Sequence, residues 1–201
     1  MAESYFDKVY AARNADETRD LYNAWSKSYE AEVAENGYVT PGRCAEALVR
    51  FLPSLDAPVL DFGCGTGLSG LALRAAGVTV VDGVDLAEGM LAQAREKGAY
   101  RNLTLIGPED ALPQGYRAIS AMGVIGAGAA PLGVLERIVD TLPEAGLTVF
   151  SFNDHTLEDP AYQSCVDRMK ADGTVRELFN EYGEHLPGLN MNSRVYVLEK
   201  K

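Results

Sequence analysis

The chain predicts an α/β fold: a mostly parallel sheet with helices on both faces, Rossmann-like, preceded by a helical cap. Three observations carry that expectation. The stretch Val59 to Gly67, VLDFGCGTG, reads as a buried strand that runs into a glycine turn and then a helix. Beyond it, short β-branched runs alternate with helical stretches, which is how strands joined by helical crossovers look. Acids stand at the ends of the first two strands, Asp61 and Asp85, where the ligand crevice of an open parallel sheet lies. A length of 201 residues with 47% apolar side chains suits a single domain spanning 1–201, with a cap over 1–53 and the sheet over 54–201.

Residues 3 to about 53 read helical. Asp16 or Thr18 can open a helix, and Leu21, Tyr22, Trp25, Tyr29 and Val33 recur at spacings of three and four to form one aromatic stripe. That stripe suits packing on the domain, and it equally suits a lid over a ligand. After a break at Pro41-Gly42, Arg43 to Leu52 reads as a second helix that Pro53 ends. The first strand covers Ala57 to Leu60, and Thr66 can cap the helix behind the glycines. Further strands are expected at Val78 to Val84, Leu103 to Ile106, Ala118 to Val124 and Leu147 to Phe152, with helices at Ala87 to Lys97, from near Pro131, and at Asp159 to Lys170. Gly98 stops the first of those helices. The tail Ser193 to Glu199 alternates like an antiparallel edge strand, with Val175 to Asn180 as its partner.

The glycine turn is a nucleotide cradle, because the free N–H groups of the following helix point at whatever lies over it. Gly65, Gly67 and Gly70 satisfy a dinucleotide pattern, and Asp85 could bind ribose hydroxyls. Asp61 argues against a pyrophosphate, since its carboxylate beside the turn would repel one and attract an ammonium. These residues, with GVDLAEGMLAQAREKG from Gly83 to Gly98, resemble the first motifs of the class I S-adenosylmethionine-dependent methyltransferases. The resemblance implies a seven-stranded sheet whose last strand is antiparallel. It also implies S-adenosylmethionine as cofactor, S-adenosylhomocysteine as product, and contacts from Asp61, Phe62, Gly63, Cys64, Gly65, Thr66 and Gly67. Asp85, Leu86, Met90 and Met122 are further candidates, and either Glu109 or Asp110 of GPEDALP would meet the adenine. The segment YNAWSKSYE is similar to family caps in which aromatic residues, here Tyr22, Trp25 and Tyr29, close over the methionine end. Together with GVIGAGAAP (Gly123 to Pro131), these segments resemble the small methyltransferase-like proteins related to the Williams-Beuren syndrome chromosome-region methyltransferase.

A net charge of −11 offers no basic surface to neutralise phosphates, so neither nucleic acid nor an anionic membrane face is an expected partner. The fourth strand also lacks the Asn/Asp-Pro-Pro-aromatic sequence used to methylate base amino groups. Cys44, Cys64 and Cys165 are widely spaced and read as reduced thiols, no metal site is expected, and the N-terminus lacks a signal core, which points to the cytoplasm. Methyl transfer needs orientation, plus a base when the nucleophile carries a proton. His155, after the fifth strand, is the candidate base; His185 ranks below it. The expected activity is methyl transfer to a small-molecule acceptor, by a monomer or homodimer. A nicotinamide-dependent oxidoreductase and a cofactor-binding module without turnover are the alternatives.

Overall fold

A computed structural model describes residues 15–26, 28–126 and 129–201. The helical expectation for residues 3–14 lies outside them, as do Ala127 and Gly128 of the expected glycine loop. The cap comprises α1 (Ala15–Trp25) and α2 (Tyr29–Glu35), followed by α3 (Thr40–Val49). The core then runs β1 (Val59–Phe62), α4 (Leu68–Ala75), β2 (Val81–Asp85), α5 (Glu88–Lys97), β3 (Asn102–Leu105) and β4 (Ala118–Ala121). It continues through α6 (Gly133–Thr141), β5 (Leu147–Asn153), α7 (Asp154–Leu157), α8 (Pro160–Ala171), β6 (Val175–Leu186) and β7 (Met191–Lys200).

The seven strands lie in the order β3-β2-β1-β4-β5-β7-β6. All neighbours from β3 to β5 pair in parallel, and β7 runs antiparallel to both β5 and β6. The chain reverses its direction of travel across the sheet between β1 and β4, so the crevice of the fold opens there, at the C-terminal strand ends. Period-two alternation divides the core. Leu60, Phe62, Ile119, Phe150 and Tyr196 face α6 and α8, whereas Val59, Val149, Val195 and Val197 face α3 and α4 with Leu48 and Leu73.

Several expected boundaries move, for local reasons. The tail strand β7 is not an edge: its run Val195 to Leu198 is fully buried, and the far more exposed β6 takes the edge instead. Helix α3 starts at Thr40, so Pro41 and Gly42 lie in its first turn, where proline's missing N–H has no cost, and it ends well before Pro53. Thr66 does not cap α4. Gly67 holds that position at φ 99°, a left-handed conformation.

One side chain locks the first crossover. Asp61 pairs across the sheet with Gly83 on β2 and with Ser120 on β4. Because Gly83 has no side chain, the ring of Tyr100 reaches in beside it; a Cβ there would lie 3.0 Å from Tyr100 Cε1. Gly70 on α4 clears the other side, since its Cβ would sit inside the same ring. The Tyr100 hydroxyl then accepts from Gly70 N (2.9 Å) and donates to Asp61 Oδ2 (2.7 Å). Removing that hydroxyl leaves a buried carboxylate oxygen one donor short and a helix N–H without its acceptor, so Tyr100→Phe should destabilise the fold by about 1–3 kcal/mol in urea unfolding. An unchanged midpoint would show that this hydroxyl holds nothing.

Candidate active site

The expected role of Asp61 requires correction first. Its side chain is fully buried below the glycine turn, not beside it, and does not line the cavity above. Ser69 Oγ donates to Oδ2 (2.5 Å), Tyr100 to the same oxygen, and Ser120 Oγ to Oδ1 (2.7 Å), so three hydroxyls take the place of the expected ammonium. Burial raises its pKa, opposed by those hydroxyl bonds. The argument against a pyrophosphate therefore loses its carboxylate. Asp61 organises the floor from beneath it and does not line the cavity.

Above that floor lies a cavity of about 710 Å³ at the C-terminal ends of β1, β2 and β4, within the ordinary size range for a small-molecule site. Its floor includes Phe62, Gly63, Cys64, Gly65 and Thr66. Gly65, at φ 53°, has no atom within 4 Å of where a Cβ would stand, so its backbone is open to a ligand. The Thr66 hydroxyl is buried and meets no hydrogen-bond partner among the described residues, as a group waiting for a ligand would. Gly67 turns the other way, toward Ala94 and Tyr100.

Asp85 stands on the cavity wall with its orientation set by the backbone: Oδ2 accepts from Gly65 N and Oδ1 from Ala87 N, each at 2.8 Å. The carboxylate also feels the Leu86 N–H, and its two oxygens together still have lone-pair capacity for a hydroxyl donor. Burial raises its pKa, against the lowering effect of these N–H bonds. Leu86, Met90 and Met122 line the cavity with it, as does Glu109. Asp110 does not; its carboxylate folds back to accept from Gly107 N (2.6 Å) as a turn acid.

The cap divides its aromatic stripe between two duties. Tyr22 and Tyr29 line the cavity, while Trp25, 2% exposed, stacks on Tyr22 and meets Tyr29 edge-on. Trp25 is therefore an anchor and not part of the main cavity wall. Asn23 Oδ1 accepts from Gly89 N (2.8 Å) and Glu30 pairs with Lys97, so the cap is tied to both ends of α5.

His155 is corrected too. It lies half-exposed on α7 beside Glu158 and lines no cavity described here, because its short helix turns it outward past the strand end. The buried histidine is His185 at the end of β6, on the wall of a second cavity of about 70 Å³. Burial is the main cause that lowers its pKa to about 4. Sequence reasoning also passed over Tyr38, Val124, Arg137 and Tyr162 on the main cavity wall. Arg137 had a visible signal as a lone cation on an amphipathic helix, and it binds the carbonyls of Pro108 and Asp110 across the mouth. The others reach the site from loops and a distant helix, which spacing does not reveal.

Comparison with known proteins agrees with this geometry. Residues 59–112 match the family model described as a methyltransferase domain. Methyltransferase-like protein 27 of Homo sapiens is 31% identical over 161 residues, 76% of this chain, which spans 66% of that relative's length. Among solved structures, the (4+2)-cyclase SpnF superposes with a TM-score of 0.70 at 14% identity, covering 94% of this chain and 97% of that one. Magnesium protoporphyrin IX methyltransferase from Synechocystis PCC 6803, solved with bound S-adenosylmethionine, superposes with a TM-score of 0.59 at 15% identity, covering 98% and 90%. The chain thus carries a methyltransferase domain on the class I S-adenosylmethionine-dependent methyltransferase fold.

The depressed pKa of His185 makes a stability prediction. Its folded value lies below the unfolded one, so the unfolded chain binds the extra proton first and stability falls as pH drops from about 6.5 through about 4. The difference in unfolding free energy between wild type and His185→Gln should shrink across that window by on the order of 3 kcal/mol. A difference that stays flat with pH would place the imidazole in solvent.

Proposed function

We propose that this protein transfers the methyl group of S-adenosylmethionine to a small-molecule acceptor held in the same cavity. The observation that carries this is the continuity of one 710 Å³ space from Asp85 and the glycine turn to the wall formed by Val124, Pro131 and Val134. That space has room for a nucleoside cofactor at one end and an acceptor at the other. The bound cofactor would supply a sulfonium whose methyl group is open to in-line attack. Asp85 would accept from the ribose hydroxyls, the Thr66 hydroxyl and the open backbone at Gly65 would meet the rest of the cofactor, and Leu86, Met90 and Ile106 would flank its base. Glu109 is better placed than Asp110 to accept from an adenine amino group. Tyr22 and Tyr29 would exclude water and hold the reacting atoms in line.

Small acceptors are favoured because a net charge of −11 opposes a polyanionic partner, which also argues against nucleic acid. No described helix is long and apolar enough to cross a membrane, and the three cysteines are free and buried; both suit our assignment to the cytoplasm, as a monomer or homodimer. The cap segment, VLDFGCGTG and the loop after β4 support a place in the Williams-Beuren-related group. SpnF, a cyclase by name, keeps a second reading open: a cofactor-binding protein on this fold without methyl transfer.

Calorimetry separates these readings. S-adenosylhomocysteine should bind with a micromolar constant, about −8 kcal/mol, and NADH should not bind. Asp85→Asn should weaken the former by about 1–3 kcal/mol. Tight NADH binding, or an Asp85→Asn variant that binds as the wild type does, would overturn the assignment. Binding without turnover across a broad library of small acceptors would favour the second reading.

A further inference from the structure

The second cavity shares Tyr22, Tyr29, Tyr38, Gly123 and Val124 with the main one, so it forms an inner chamber at the end where the acceptor would bind. Its volume of about 70 Å³ equals roughly two waters, enough for a carboxylate and too little for a ring. In a chain this acidic, no carboxylate side chain lines the chamber among the described residues. His185 does line it, and a chain of hydroxyls behind the ring decides where the imidazole proton sits.

Thr40 Oγ lies 2.7 Å from His185 Nδ1 and 3.0 Å from Ser193 Oγ, and Arg43 donates to Ser193 Oγ at 3.1 Å. Thr40 and Ser193 are fully buried. A guanidinium can only donate, so Ser193 accepts from Arg43, and its own proton has one acceptor within reach, Thr40. Thr40 must then donate to Nδ1. The opposite direction would leave the Ser193 proton without an acceptor in a buried site. Nδ1 is thus an acceptor, the ring proton is on Nε2, and Nε2 meets no protein partner among the described residues.

We propose that His185 anchors the substrate: neutral and protonated on Nε2, it donates to a carboxylate oxygen of the methyl acceptor, seated in the inner chamber while the nucleophile extends into the main cavity. This rests on the methyltransferase reading for the reaction but not for the anchor. Charging His185 would require a proton on Nδ1 and reversal of the whole relay, in keeping with its lowered pKa; Arg43 acts in the same sense and Asp154 opposes it. Tyr38, edge-on to the imidazole at 5.2 Å between ring centres, has its own pKa raised by burial and so keeps its proton. The acceptor is accordingly a small carboxylic acid.

The chain has two histidines, so His155→Gln leaves His185 as the only imidazole for nitrogen NMR. In that protein without cofactor, the ring should be the neutral Nε2–H form from pH 5.5 to 8, and Thr40→Val should turn it into a mixture of tautomers. Acetate, propanoate and benzoate, added to protein saturated with S-adenosylhomocysteine, should move the Nε2–H proton downfield, whereas ethanol and ethylamine should not. Carboxylate affinity should fall at least tenfold in His185→Phe and stay within about threefold in His185→Gln, which keeps an N–H near that position. An Nδ1–H tautomer, titration near the ordinary imidazole range, or an Nε2–H signal unmoved by every carboxylate would overturn the anchor. Failure of S-adenosylhomocysteine to bind would instead strike the methyltransferase reading, because the tautomer is read without it.

Discussion

The burial of the Asp61 carboxylate depends on hydroxyls supplied by three different elements, and the architecture of the site follows from that constraint. A fully buried carboxylate is costly, and the structure offsets the cost with donors from α4, the segment before β3, and β4. Each donor needs its own clearance. Gly70 admits the Tyr100 ring, Gly83 leaves room for Leu103, Cys64 and that same ring, and the Asp61–Ser120 register joins β1 to β4 across the switch point. The glycine turn is thereby held at a fixed height above the sheet, and Asp85 is tied to that same turn through Gly65 N. Floor and wall of the cofactor end form one hydrogen-bonded unit.

The proposed acceptor end is built differently. Its walls come from the loop after β4, from α6 and from the cap, all of which contribute mostly apolar or aromatic surface. Its polar element arrives from the far edge of the sheet, where β6 and β7 bring His185 and Ser193 against Thr40 at the start of α3. The antiparallel pair therefore lines the second cavity as well as closing the sheet. The long β6 extends to Leu186 because its last residues reach the cap.

The strand-turn-helix of VLDFGCGTG and the Asp85 strand end were legible because local chemistry dictates them: apolar runs, glycine at special backbone angles, an acid at a strand terminus. Asp61 was legible as an important residue but not in its role, since spacing shows neither burial nor the hydroxyls that only the tertiary register assembles. The structure sets His155 apart from both cavities and His185 on the wall of one, for a related reason. Proximity in sequence to a strand end favours His155, whereas His185 reaches the second cavity through a β6–β7 pairing with a register shift at Glu184 to Leu186. Tyr38 was missed because it lies between helices, outside any periodic stripe. Pro41 reads as a break in the sequence, yet a proline equally suits the first turn of a helix, where it stands in α3.

The cap shows how packing energy limits mechanism. A lid that swings away on α1 and α2 would expose Trp25, and an indole buries about 150–250 Å², worth roughly 4–6 kcal/mol at 25 cal/mol/Å². Releasing Asn23 from Gly89 N and Glu30 from Lys97 adds to that cost. The mouth between α6 and the loop after β3 is closed by less: Arg137, on the carbonyls of Pro108 and Asp110, forms contacts that are exposed to solvent and readily replaced by water. Energetically the cap is a wall and the Arg137 bridge the weaker closure, so a cofactor bound as proposed would have its cheaper way out over the loop after β3, beside Glu109. On that proposal Tyr22 and Tyr29 would stay on the cavity wall through exchange, held in place by Trp25 behind them.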